Sequence, residues 1–223
     1  MKRFTFTFLL ITLLCCLHLR AQDVTKAEKQ VDGSKWGFGL NGGYAQRAFR
    51  SAGLLNGARK RYIKDLKSGI SFGGEVTYFP WKKVGFGLKY DRYQSKVSQQ
   101  NALTEDVTIQ ILGGEVIHRA IMKNPKNSVL TSLLLGYQPY QNKTQVGQEQ
   151  FTFNGKTMGW GVSVGFEHRI SPRFAINVTG SATMGAIYRL DRTTAFNKET
   201  LHLSKDNSVD LSRFSATIGF KFY

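Results

Sequence analysis

The chain has 223 residues, enough for one sizeable domain, and carries 31 Lys and Arg residues against 15 Asp and Glu. Its net charge of +16 favours an anionic partner. Both cysteines, Cys15 and Cys16, lie in an apolar N-terminal segment, so the rest of the chain can form no disulfide.

Residues 1–21 have the form of a secretory signal peptide. Lys2 and Arg3 give a basic start, an apolar run follows to about residue 17, and Ala21 supplies a small residue at the expected cleavage point. A short membrane anchor is the alternative, but the run is shorter than the roughly 20 apolar residues of a spanning helix. Cleavage also removes Arg20, so 28 basic residues remain against 15 acidic ones, a net charge of +13.

Export narrows the choice of anionic partner. An exported chain rarely meets nucleic acid, whereas anionic lipid head groups are present at the membranes that it reaches. Residues 22–34 are polar without sustained periodicity, which predicts a flexible periplasmic lead. The folded domain is therefore predicted to cover residues 35–223.

The first strand begins just after this lead, because large and small residues alternate there. One face carries Trp36, Phe38, Leu40 and Tyr44, and the other carries Gly37, Gly39, Asn41 and Gly43. Residues 37–42 also match the pattern G-x-G-x-x-G, which binds dinucleotides only between a strand and a helix. Here the glycines alternate with large apolar residues inside a strand, so no cofactor is predicted.

A polar connection over residues 47–67 leads to a predicted hairpin, residues 69–90, with a turn at residues 80–83. Its two strands share one large apolar face, made of Ile70, Phe72, Val76, Tyr78, Val84, Phe86, Leu88 and Tyr90. The opposite face is small or charged. In a membrane barrel the large apolar face turns outward to lipid and the polar face lines the inside.

Strands four and five are less regular. The fourth starts near Val107, and its phase becomes unclear at Gly113 and Gly114, which predicts a β-bulge. The fifth is predicted over residues 129–137, although three consecutive leucines break its alternation. Polar loops are predicted on either side of this pair, over residues 94–106 and 138–156.

The last three strands alternate clearly, over residues 158–166, 174–184 and 214–222. A short turn at residues 171–173 joins the first two, and a polar loop over residues 188–210 precedes the last. The full set is eight strands, in which long polar loops alternate with short turns. This order predicts an all-β fold: an eight-stranded antiparallel up-and-down transmembrane β-barrel with short periplasmic turns and long outer loops.

Several segments carry a resemblance to a known family. The stretches FGGEVTYFP, LLLGYQPY and VGFEHRISPRFAI, with the aromatic C-terminus, resemble the outer-membrane β-barrel family of Bacteroidetes. The plan is similar to the small barrels of the OmpX and OmpA type. The resemblance implies an outer-membrane location and delivery by the barrel-assembly machinery, which reads a C-terminal strand with a terminal aromatic residue such as Tyr223.

Six charged residues are predicted to point into the barrel, Glu115 on condition that strand four keeps its starting phase. They are Glu75, Lys89, Asp91, Glu115, Glu167 and Lys221. Since eight strands leave an interior just wide enough for side chains, we interpret them as an ion network that plugs the barrel. A polar conduction path is the alternative.

Histidine spacing gives no sign of catalysis. His118, His168 and His202 show neither His-x-His nor H-E-x-x-H spacing, so no metal site is predicted. Glu167 and His168 are neighbours on a strand and should point to opposite faces. A non-enzymatic barrel is therefore predicted, with a lipid A-modifying deacylase or acyltransferase as the alternative.

The basic excess is concentrated in residues 47–67, which hold seven basic residues and one acidic residue. The strand order places this loop on the outer side, where it would meet lipid A phosphates of lipopolysaccharide or partner proteins. The candidate phosphate ligands are Arg59, Lys60, Arg61 and Lys64. A solvated loop without a ligand is the alternative.

Overall fold

The computed structural model describes residues 35–49, 57–99, 103–194, 197–204 and 207–223, with the backbone alone for residues 57–60 and 99. Its elements in chain order are β1 (Trp36–Arg47), α1 (Gly57–Lys67), β2 (Ser68–Tyr78), β3 (Val84–Gln99), β4 (Leu103–Ile121), β5 (Asn127–Val146), β6 (Glu149–Ser171), β7 (Phe174–Met184), β8 (Ala186–Ile187), β9 (Arg189–Thr193), β10 (Lys198–His202), β11 (Val209–Asp210) and β12 (Arg213–Phe222). The predicted signal peptide and lead, residues 1–34, lie outside this description.

Strands β1 to β7 and β12 close into a barrel. Each consecutive pair from β1 to β7 is antiparallel, β12 pairs with β1, and β7 closes the circle by pairing with β12. The eight-stranded antiparallel fold predicted from the sequence is therefore confirmed. Over the height at which all eight described strands pair, closure leaves no free sheet edge, which hydrocarbon would not tolerate.

The barrel carries its apolar side chains on the outside. Leu40, Leu88, Val164 and Ile218 are each at least 60% exposed, whereas the inward neighbours on the same strands are small, polar or charged. This arrangement is the reverse of a water-soluble barrel and suits a lipid environment. Among the described residues, no helix is long and apolar enough to cross a membrane.

The two ends of the barrel differ. Residues 79–83, 122–126 and 172–173 make short turns at one end, here called the turn end. At the other end, the loop end, strands β3 to β6 extend well past the remaining strands. The predicted polar loops at 94–106 and 138–156 are therefore wrong, because most of their residues continue these four strands.

The predicted bulge at Gly113 and Gly114 is also wrong. The β3–β4 register passes through both glycines without a shift, so Glu115 keeps the inward phase of Val107. Gly113 instead permits close strand approach, since a Cβ there would lie 2.2 Å from the carbonyl oxygen of Leu135. In the described strands a register shift does occur between β6 and β7, at Arg169 and Ser171.

The three consecutive leucines of β5 also alternate between the inside and the outside of the barrel. Leu134 points inward and is buried, whereas Leu133 and Leu135 are exposed on the outside.

Two predicted loops contain regular structure. Residues 47–67 include helix α1, and residues 188–210 include the β9–β10 hairpin, which pairs with the extended part of β6. The short strands β8 and β11 pair with each other. The loop end is therefore a folded assembly over the described residues, and the two predicted polar loops contain a helix and a hairpin that the sequence analysis did not predict.

Candidate functional site

The polar interior is organised in levels along the barrel axis. At the middle level, Lys221 Nζ donates a 2.7 Å hydrogen bond to Glu75 Oε1, and the lysine is only 1% exposed. Glu115 and Lys89 line the same small cavity of about 30 Å³. That volume holds about one water molecule, so the middle of the barrel is filled by side chains.

A second ion pair lies nearer the loop end. Arg213 Nη2 donates to Asp91 Oδ1 at 2.7 Å, and Ser71 Oγ donates to Asp91 Oδ2 at 2.8 Å. Arg213 comes from β12 and Asp91 from β3, so the pair crosses the barrel interior. The sequence reading named Asp91 but missed Arg213, although the inward phase of β12 includes it.

A third cluster closes the turn end. Tyr223 Oη donates to Glu167 Oε2 at 2.5 Å, and Arg119 Nη2 donates to Tyr223 Oη at 3.0 Å. The Arg119 guanidinium also lies 3.7 Å from the centre of the Phe79 ring. Tyr223 follows the outward-facing Phe222, so its ring turns inward. This alternation is visible in the sequence and could have predicted an interior position for Tyr223.

The six predicted interior charges therefore do not bond as one set. Glu75 and Lys221 bond directly, and Lys89 and Glu115 line the same cavity, but Asp91 and Glu167 find other partners.

Above these levels the interior becomes apolar. Tyr93, Val107, Ile109 and Tyr140 pack with Ile187 of β8, Leu190 of β9 and Leu211, which lies between β11 and β12. This buried cluster, here called the apolar layer, is apolar, whereas the barrel interior nearer the turn end is polar and charged. Past the lipid band the barrel wall meets water on its outside, so apolar residues turn in, as in a soluble protein.

Helix α1 is fixed to the loop end through its last carbonyl groups. Tyr93 Oη lies 3.0 Å from the Lys67 carbonyl oxygen and 3.3 Å from that of Leu66, and donates to them. Ser95 Oγ donates to the Asp65 carbonyl at 3.3 Å, and Ser68 Oγ donates to the Lys64 carbonyl at 3.0 Å. These bonds satisfy carbonyl groups that a helix leaves without partners at its C-terminus.

The candidate phosphate ligands all lie on this helix. Arg61 and Lys64 are exposed and three residues apart, so they share one face. Arg59 and Lys60 lie in the first turn, where the structure describes only the backbone. On the same helix, burial and the neighbouring Glu105 carboxylate raise the pKa of the Tyr62 hydroxyl above its usual range.

Glu167 and His168, neighbours in the sequence, point to opposite sides of the barrel wall. Glu167 is fully buried and His168 is exposed, on opposite faces of β6, and His168 Nδ1 lies 2.6 Å from Asn127 Oδ1. Within the described part of the chain, no group of three or more His, Cys, Asp or Glu residues is placed to hold a metal ion.

Comparison with known proteins assigns the family. The sequence profile of the outer membrane protein β-barrel domain matches residues 7–222. The chain belongs to this family. Membership places it in the outer membrane; in bacterial barrels of this class the short turns face the periplasm and the long loops face outward. A comparison with curated protein sequences finds no match.

Solved structures of similar shape are small outer-membrane proteins. Neisserial surface protein A is 13% identical with a TM-score of 0.52, covering 85% of this chain and 97% of its own. Ail of Yersinia pestis has the same identity and TM-score, with coverage of 85% and 99%. A major outer membrane protein from Thermus thermophilus is 9% identical with a TM-score of 0.57, with coverage of 85% and 99%. At these identities the likeness shows the fold alone.

Proposed function

We propose that this chain is a small, non-enzymatic outer-membrane barrel with a plugged interior, and that its loop end binds phosphate groups of lipopolysaccharide. The chain would arrive through a signal peptide cleaved near Ala21 and be inserted by the barrel-assembly machinery. The six interior charges and their partners would fill the barrel and give the fold its polar core. Contacts with other surface proteins would also be made from the loop end.

The observation that carries this proposal is the anchored basic helix. Three hydroxyl groups, from Ser68, Tyr93 and Ser95, hold the last carbonyls of α1, so Arg61 and Lys64 are displayed from a fixed backbone. A fixed cluster of like charges loses less conformational entropy on binding than a mobile one. Arginine suits phosphate because its planar fork can bind two phosphate oxygens.

A polyanion offers a convenient probe of this surface. Ail of Yersinia pestis has been crystallised in complex with the heparin analogue sucrose octasulfate. That complex is a property of Ail, but it shows that a barrel of this shape can present a surface to a compact polyanion. Sucrose octasulfate and lipopolysaccharide can therefore be titrated side by side.

The test replaces the four candidate ligands with glutamine: Arg59→Gln, Lys60→Gln, Arg61→Gln and Lys64→Gln. A matched control removes four positive charges at the turn end: Lys35→Gln, Lys83→Gln, Lys123→Gln and Lys126→Gln. We expect the helix variant to bind lipopolysaccharide at least about fourfold more weakly at low salt, since exposed ion pairs contribute about 0.2–1 kcal/mol each and four are removed. Added salt should weaken wild-type binding. Equal affinity of the helix variant and the wild type at low salt would remove this role from α1.

The enzymatic alternative makes a different prediction. His118 and His168 lie near the turn end, away from the outer leaflet in which lipid A resides, whereas His202 lies on β10 at the loop end. If the protein is non-enzymatic as proposed, lipid A from a strain that lacks it should have the same mass as lipid A from the parent strain. A mass change that disappears when the gene is restored would establish a lipid-modifying enzyme instead.

A further inference from the structure

The outer wall of the barrel contains a second ordered surface, on strands β3 to β6. Their outward residues lie in register and change chemistry from one row to the next toward the loop end. The apolar row is Tyr90, Leu112, Tyr137 and Met158; the cationic row is Arg92, Gln110, Pro139 and Lys156; the amide row is Gln94, Thr108, Gln141 and Asn154. Leu112 and Met158 are among the exposed apolar residues of the lipid-facing band.

The wall is interrupted at the cationic row. Strands β4 and β5 pair as far as Ile109 and Tyr140 and resume only at Leu112 and Tyr137. Pro139 lies in this gap and has no N–H to donate. The flanking β3–β4 and β5–β6 pairings continue past the same height, so the interruption is confined to one seam.

A cavity of about 250 Å³ occupies this seam. It is lined by the two uncharged residues of the cationic row, Gln110 and Pro139, and by Thr108, Gln141 and Asn154 of the amide row, together with Tyr140 and Gly155. Behind it the interior is filled, since a Cβ at Gly155 would lie 2.9 Å from both Ile187 and Leu190. The cavity is therefore a groove on the outer wall and does not continue as a passage into the barrel.

The chemistry of the groove is specific. Gln141 Nε2 donates to Asn154 Oδ1 at 3.0 Å, so the amide row presents an ordered set of donors and acceptors. Such groups can exchange hydrogen bonds with sugar hydroxyl and amide groups. The volume is about that of eight water molecules at roughly 30 Å³ each, which is suited to one sugar ring.

Two cations lie at the level of this groove, just outside its lining residues, and the Arg92 guanidinium lies 5.7 Å from the centre of the Phe72 ring on β2. Arg92 and Lys156 are the register neighbours of Gln110 and Pro139, one on each side of the seam. Arg92 Nε is buried and has no hydrogen-bond partner among the described residues. A buried donor without a partner is unfavourable, and a phosphate oxygen would supply the acceptor together with the opposite charge.

We infer that this groove binds the phosphorylated amino-sugar head group of an outer-leaflet glycolipid. The phosphate lies between Arg92 and Lys156, the sugar ring occupies the groove against the amide row, and the acyl chains follow Leu112, Tyr137 and Met158. The order of the rows matches the order of chemistry along such a lipid, from acyl chain to phosphate to sugar. The inference rests on the proposed glycolipid partner, but it uses residues separate from α1.

The test measures lipid retained on the folded protein in detergent by native mass spectrometry. The probes are diphosphoryl lipid A, its dephosphorylated form and phosphatidylglycerol. We expect Arg92→Gln with Lys156→Gln to reduce retention of diphosphoryl lipid A at least tenfold, down to the retention of the dephosphorylated form. The charge-matched control, Lys123→Gln with Lys126→Gln at the turn end, should retain lipid A as the wild type does.

A second variant tests the groove without changing its charge. Asn154→Trp should fill the cavity and displace lipid A, while phosphatidylglycerol retention stays at the wild-type value. Folding of every variant is checked by its mobility on an unheated gel. Wild-type retention by both the charge variant and Asn154→Trp would overturn the inference, and so would an equal loss of both lipids. Loss of lipid A in the α1 variant alone would place the phosphate site on the helix instead, which separates this inference from the proposed function.

Discussion

The buried pair of Arg213 and Asp91 gives the sharpest prediction about stability. Arg213 is 1% exposed, and Asp91 accepts bonds from it and from Ser71. Asp91→Asn keeps the size of the side chain but removes its charge. The guanidinium of Arg213 would then remain in the interior without its counter-ion.

The size of the effect follows from burial. Removing one partner of a buried ion pair costs about 3–5 kcal/mol, because the other charge stays desolvated. The pair between Arg192 and Glu199 provides a matched comparison, since it has a similar distance of 3.0 Å but side chains 37% and 43% exposed. Exposed pairs contribute about 0–1 kcal/mol. We therefore expect Asp91→Asn to cost at least about 2 kcal/mol more than Glu199→Gln.

The assay is reversible unfolding in denaturant of the two variants and the wild type, each folded in lipid vesicles. The double variant Asp91→Leu with Arg213→Met serves as a further check, because replacing both charges with apolar groups should recover part of the loss. Equal free energies of unfolding for Asp91→Asn and Glu199→Gln would refute the view that this pair is a desolvated part of the barrel core.

The remaining predictions concern orientation, closure and export. Val164→Arg should lower the free energy of unfolding by about 2–4 kcal/mol, since Val164 faces lipid near the middle of β6; wild-type stability would place that residue away from hydrocarbon. Refolded protein in planar bilayers should show no steady conductance of the porin kind, because side chains fill the interior; a stable open channel would contradict this. The mature protein should begin near residue 22, which N-terminal sequencing of outer-membrane material can check, and an intact N-terminus would rule out cleavage.

The sequence predicted the barrel because alternation in a lipid-facing strand is one-sided and strong. Leu88 and Val164 alternate with glycine, lysine or serine, and this pattern specifies both the strand and its orientation. The alternation of short turns with long connections then predicted the up-and-down order of the strands. Alternation and turn length are local signals. They are sufficient here because consecutive strands from β1 to β7 pair with each other, and β12 closes the barrel by pairing with β1 and β7.

The loop end was harder to predict because the chemistry reverses there. In the extended parts of β3 and β4, residues such as Tyr93 and Val107 turn inward while Gln94 and Lys96 turn outward. Such stretches look polar and irregular when an apolar outer face is expected. Helix α1 was missed for a related reason, because bonds from Tyr93 and other distant residues hold it, and no local pattern reports them.

The sequence predicted which charged residues point into the barrel, but not which of them form ion pairs. Inward phase identified Glu75, Asp91 and Lys221, but which charges meet depends on barrel closure, which brings β12 beside β1 and across from β3. Arg213 and Tyr223 were missed as partners because both lie at the ends of β12. Their inward phase was readable, whereas the distances across the barrel were not.

We propose that the outer surface of the protein recognises phosphate on lipopolysaccharide. The most direct measurement is the affinity of folded wild-type protein for lipopolysaccharide and for the same material after enzymatic removal of its phosphates, at low salt. We expect at least tenfold weaker binding after dephosphorylation, with the remaining affinity less sensitive to salt than that for the intact material. Equal affinity for the two forms would contradict it, because neither the helix nor the wall groove would then have a phosphate to bind.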